Sequence, residues 1–141
     1  MREFTVLPMV QDFELNLIEN IVGNKIPDLA RSYIKKYGGL MIAEKYFFDK
    51  NGLEWELSQF NLFKELHGLT EEFLREYKRK LIPFAYDPGG WHYCLCFDEG
   101  EDYGKIIVNR WTDHLPEEQF LVIADDFEEF INGLKREEEI N

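Results

Sequence analysis

His92, Cys94 and Cys96 are the residues whose types and spacing most invite chemistry. At alternate positions on a strand they share one face, while Trp91, Tyr93, Leu95 and Phe97 take the other. Zinc accepts imidazole and thiolate, so the residue types suit a metal. The spacing does not, because i and i+2 side chains on a strand stand roughly 6.5–7 Å apart. A fourth ligand would have to come from His67, His114 or an acid, and the chain has no C-x-x-C motif. Free cysteines of this kind behave as small buried hydrophobes. The paired carboxylates Asp125-Asp126 and Glu128-Glu129 have capping spacing at a helix start, and adjacent residues on a helix point apart. Ser32 and Ser58 lack a nucleophile elbow, and Gly38-Gly39 and Gly89-Gly90 lack the context of a phosphate-binding loop. These residues therefore predict no catalytic centre, no metal and no cofactor.

Charge offers a different signal. The chain has 141 residues with 28 acids against 16 Lys and Arg, a formal net charge of -12. From Asp98 to Asn141 there are 14 acids and four bases, so most of the excess lies in the last third. A surface of this sign repels phosphate, which argues against direct nucleic-acid binding. It suits a cationic protein partner. The acids concentrate at Asp98, Glu99, Glu101 and Asp102, and again at Asp113, Glu117 and Glu118. Trp91, Tyr103 and Trp111 lie among them as candidate aromatic anchors, since interfaces concentrate energy in such residues. For Trp91 and Trp111 core packing is an equally good reading. By count alone, solvated surface is the usual reading of such acids.

The elements that must carry these residues read as a single domain over 1–141, with an acidic tail from about 136 expected to fray. At 45% hydrophobic and 16% aromatic the chain can fold, and it buries about two-thirds of its unfolded surface. No apolar run reaches the roughly 18–20 residues of a membrane span, and no secretory signal opens the sequence, so a cytoplasmic location is expected. Helices are predicted over Asp12 to Val22, with Phe13, Leu17, Ile18, Ile21 and Val22 inward, and from Pro27 to Tyr37. Strand-like runs follow at Leu40 to Phe48 and Leu53 to Leu62 around the turn Asp49-Lys50-Asn51-Gly52. Thr70 reads as the N-cap of a third helix whose end, Lys78-Arg79-Lys80, reads as solvated dipole complement. Strands at Leu81 to Ala85, Trp91 to Phe97, Lys105 to Trp111 and Phe120 to Ala124 precede a helix from Asp125 or Asp126 to Lys135. This order predicts an α+β fold, a mostly antiparallel sheet with helices packed over one face.

Three blocks, taken in order, resemble the SUKH superfamily, which contains the yeast Smi/Knr-type cell-wall regulators and many bacterial immunity proteins. Ile26-Pro27-Asp28 through Tyr37-Gly38-Gly39 looks like the family's opening helix and its Gly-rich stop. Leu81-Ile82-Pro83-Phe84-Ala85, then Asp87, Gly89-Gly90 and Tyr93 through Asp98, is similar to its central strand pair. Ile107-Val108 to Trp111, Asp113 and His114, then Ala124 to Ile131, resembles its tryptophan strand and closing helix. Gly38 stands where the family often has Asn, and Asp126 where it has Ser; both exchanges keep the local backbone chemistry. The resemblance implies a non-enzymatic binding domain. It would be either an immunity protein that neutralises a basic, nuclease-type toxin, or a regulatory scaffold for an endogenous protein, as in cell-wall synthesis.

Overall fold

In the computed structural model, which describes residues 9–110 and 116–140, Phe120–Ala124 closes a meander that begins at Gln59. The strands are β3 (Gln59–Phe60), β4 (Leu81–Tyr86), β5 (His92–Cys96), β6 (Ile106–Asn109) and β7 (Phe120–Ala124), in that spatial order, each antiparallel to the next. A separate antiparallel pair, β1 (Tyr46–Phe48) and β2 (Glu54–Glu56), flanks the turn at Asp49 to Gly52. Four helices accompany them: α1 (Asp12–Val22), α2 (Asp28–Tyr37), α3 (Phe63–Tyr77) and α4 (Phe127–Asn132). The α+β class and the antiparallel sheet are as the sequence predicts.

Alternation on β5 divides the core. Tyr93, Leu95 and Phe97 join the large cluster with α1, α2 and α4, whereas Cys94 and Cys96 join Leu81, Ile107 and the α3 residue Phe73. Helical cover thus extends to the second face of the sheet, where Leu69 and Tyr77 of α3 also pack. Phe84, Tyr93, Leu95, Val108, Phe127 and Phe130 are all buried in the large cluster, the arrangement expected of strand alternation and of i, i+3 spacing on α4.

Several boundaries and faces differ from the sequence reading, each for a local reason. On α1 two apolar stripes overlap. Packing selects Leu15, Ile18 and Val22 and leaves Phe13 and Leu17 exposed at 65% and 46%. The run from Leu53 to Leu62 is not one strand. The Leu57 N–H donates to Lys45 O in the small sheet, and the next N–H, of Ser58, donates to Tyr86 O in the large one. The chain therefore crosses between sheets at that peptide. Thr70 is not a cap but lies inside α3, its hydroxyl donating to Leu66 O at 2.5 Å, a bond a buried helical threonine can make. Arg79 is not solvated dipole complement; it is partly buried and ion-paired to Asp98. Near the C-terminal end, Glu137–Glu139 form an exposed 3₁₀ turn beside Arg136, which pairs with Glu44 at 2.7 Å.

Helix α4 stops at Asn132 rather than Lys135 because the chain must pass Phe47 and pair Lys135 with Tyr46. Gly133 makes that passage possible: a Cβ there would sit 2.8 Å from the buried Phe47 ring and 3.1 Å from Glu129 O. Gly133→Ala is expected to destabilise the fold by about 1–3 kcal/mol through overpacking. Gly68, on the exposed side of α3 with nothing near its virtual Cβ, makes the opposite case. Gly68→Ala should stabilise by about 0.5–1 kcal/mol. Urea unfolding of both variants checks the pair of signs.

Candidate protein-binding surface

The loop between β5 and β6, residues 98–104, is built to hold its acids in fixed places. Asp98 turns inward. Its Oδ2 accepts from Arg79 Nε at 2.6 Å and its Oδ1 from the Lys80 N–H at 2.7 Å. Arg79 also stacks over the Phe120 ring at 5.0 Å and approaches Asp102 at 3.7 Å. Burial alone would lower the Arg79 pKa, but Asp98 outweighs it and the net direction is up, so the guanidinium stays charged. At the far end Gly104, at φ 82°, donates its N–H to Cys96 O, and the Lys105 N–H donates to Asp102 O. Tyr103 stands edge-on to Phe97, ring centroids 6.0 Å apart, with its hydroxyl 3.3 Å from Asn24 Oδ1. Between these anchors Glu99 and Glu101 are exposed and have no ion-pair partner among the described residues.

The antiparallel meander decides which predicted residues can act together. The 98–104 loop lies at one end of the sheet, beside the end of β7 and the start of α4. Trp91, Glu117 and Glu118 lie at the other end, where β5 begins and β7 starts. About 15–20 Å of strand separates the two groups. Glu117 and Glu118 are exposed, and Trp91 is partly buried against the core with its ring 6.5 Å from Trp55. Trp111 and Asp113 lie outside the described residues. Sequence reasoning attributed Asp126 and Glu128 to helix capping. Asp126 does cap α4, accepting from the Glu129 N–H at 2.7 Å, but both acids also border an apolar groove shared with Tyr103. Their nearness to the loop arises from strand pairing, for which the sequence carries no local signal.

Of His92, Cys94 and Cys96, the two cysteines pack in the core beneath α3, and His92 lines a hollow beside it. Cys94 is fully buried, and burial pushes both thiols up, away from the thiolate a metal or a nucleophile requires. Among the described residues no group of three His, Cys, Asp or Glu side chains is placed to hold a metal. His92 lines a hollow of about 340 Å³ with Asn61, Glu65 and Tyr86. Asn61 Nδ2 donates to Pro83 O at 2.7 Å and lies 3.3 Å from His92 Nδ1. The ring nitrogen facing that amide is therefore the acceptor, which places the proton on Nε2.

Burial lowers the His92 pKa from 6.5 to about 4. The unfolded chain takes up a proton near pH 6.5 and the native chain only near pH 4. The stability tied to neutral His92 is thus complete above pH 6.5 and lost as pH falls toward 4. For a partly buried ring that loss is about 1–3 kcal/mol. His92→Gln, which cannot titrate, is expected to lose that much less than the parent on going from pH 7.5 to pH 4.5, measured by chemical denaturation at each pH.

No helix among the described residues is long and apolar enough to cross a membrane. In comparison with known proteins, residues 12–131 match the SUKH family model described as SMI1-KNR4 cell-wall. The chain is also similar to an SPbeta prophage-derived uncharacterized protein, YokK, of Bacillus subtilis (strain 168). The two are 27% identical, with 95% of this chain and 82% of that protein covered. The family match spans most of the chain and both halves of the meander, so the protein belongs to the SUKH (SMI1-KNR4) family of immunity-type and Smi/Knr-type protein-binding domains.

Proposed function

We propose that the protein is a cytoplasmic immunity protein, a stoichiometric binder that neutralises a cationic, nuclease-type protein toxin and performs no chemistry of its own. The observation that carries this reading is the pair of exposed glutamates, Glu99 and Glu101, on a loop pinned at both ends within the most acidic third of the chain. A nuclease needs a basic surface to hold phosphate, and an acidic surface meets it with complementary charge. The family includes immunity proteins, and the prophage origin of the similar YokK suits a role in competition between cells. The family's cell-wall description supports a second reading, a regulatory scaffold for an endogenous protein. Finding a toxin gene immediately beside this one would favour the first, and its absence the second.

The loop geometry also selects the test. Reversing Asp98 would break the Arg79 anchor and confuse folding with binding, so Glu99→Lys with Glu101→Lys is the informative variant. Binding to the product of the adjacent gene is followed by surface plasmon resonance. Between 0.01 M and 0.15 M salt the Debye length falls from about 30 Å to about 8 Å, and association is expected to slow by about tenfold or more. The double reversal should slow association more than it speeds dissociation. Reversal of Glu137, Glu138 and Glu139 serves as the control and should have the smaller effect. Association indifferent to both salt and the loop reversal would refute the reading.

A further inference from the structure

We propose that the groove beside the 98–104 loop docks one apolar side chain of a cationic protein partner, flanked on that partner by lysine or arginine. The inference rests on the binding reading above and names its anchor point. The groove is about 260 Å³ and lies between the start of α2, the end of the loop and the start of α4. Its floor is Leu95, Phe97 and Phe127, all buried; its sides are Leu29 and Tyr103, 39% and 52% exposed; Asp126 and Glu128 stand at its border. Against the ~30 Å³ share of one water, this volume accepts a whole leucine or phenylalanine side chain. It falls below the ~300–1,000 Å³ of sites that enclose small molecules, and its half-exposed sides suit a side chain presented by a larger surface.

Charge decides what that surface is. Of the bases near this end of the sheet, Arg79 is paired with Asp98 at 2.6 Å and Lys50 with Asp125 at 2.7 Å, and Lys105 helps hold the Asp125 carboxyl low. Glu128, like Glu99 and Glu101, has no ion-pair partner among the described residues. A second copy of this chain would bring these acids against their own images within a molecule of net charge -12, and like charges so placed cost several kcal/mol. An anionic membrane surface is repelled for the same reason. A cationic protein gains at the border and buries its apolar residue at the centre, the arrangement of a hot spot inside a polar rim.

The anchor can be tested with peptides on the full chain, without the partner in hand. The probes are blocked Lys-Lys-Phe-Lys-Lys, Lys-Lys-Gly-Lys-Lys and Glu-Glu-Phe-Glu-Glu, followed by ¹H–¹⁵N correlation spectra. The first is expected to shift the amides of Leu29, Gly104 and Phe127 saturably. Loss of the phenylalanine should weaken binding by about tenfold, the effect of burying one large apolar side chain. The acidic peptide should not bind. Leu29→Glu, at a position exposed enough to spare the core, should abolish the Phe dependence while keeping dispersed spectra. Equal binding of the Phe and Gly peptides, or shifts confined to Glu99 and Glu101, would overturn the groove and leave the cationic-partner reading standing. No shift at the three groove amides with any peptide would overturn it as well. Salt-independent association of the partner itself would sink the cationic reading and with it the basic flanks of the proposed anchor.

Discussion

Aromatic rings in contact with Phe84 and Phe130 tie α2, α4 and the small sheet to one face of the large sheet. Phe84 meets Phe127 and Phe130 edge-on at 5.1 and 5.7 Å, and reaches Phe60 at 6.2 Å. From Phe60 the contacts pass to Tyr37, Tyr33 and back to Phe127, closing a circuit of rings through β3, β4, α2 and α4. Phe130 adds Phe47 of the small sheet and Tyr93 of β5. Edge-to-face pairs contribute about 0.5–1.5 kcal/mol each beyond their burial, and here they share members, so one loss disturbs several. The small sheet would otherwise be a lone hairpin of marginal stability. It is held by Phe47 in this knot and by the Tyr93 hydroxyl, which donates to Glu56 O at 2.6 Å.

That knot fixes α2 and α4 against the sheet, and so fixes the groove whose floor includes Phe127. The acidic loop has its own support on the opposite face. Asp98 reaches through to Arg79 just past the end of α3, and both side chains are 24% exposed, so the pair is less screened than exposed pairs such as Lys50 with Asp125. Arg79 is turned to that task by Lys78, which ends α3 at φ 58° and re-aims the chain. The loop thus draws one anchor from each side of the sheet.

What the sequence made legible follows the range of the signals. Local ones succeeded: helix α1 ends where predicted at Gly23, α2 follows Pro27, and β7 spans Phe120–Ala124 as read. The i+2 alternation at residues 91–97 correctly separated Cys94 and Cys96 from Tyr93 and Leu95. Failures came where a long-range contact chose among equal local options. Leu15 replaced Phe13 on the inner side of α1, and α3 began at Phe63 without a capping side chain, with Gly68 weakening its helical signal. For the candidate surface, composition showed the acids but not their grouping. Strand order places Glu117 and Glu118 far from Glu99, and brings in Asp126 and Glu128, which capping had already explained.

An acidity this large works against compaction, since like charges repel and a net charge of -12 is not neutralised internally. The ion pairs do not offset it. Glu44 with Arg136 and Lys50 with Asp125 are largely exposed, and pairs so placed contribute little to stability. The fold rests on its aromatic core and tolerates the charge rather than needing it. Solubility would be served as well by acids on a loose loop. Glu99 and Glu101 instead ride on a loop tied down by Asp98, Tyr103 and Gly104, beside an apolar groove with acids at its border. Rigid placement lowers the ordering cost of association, which is the advantage a binding surface has over a merely hydrated one.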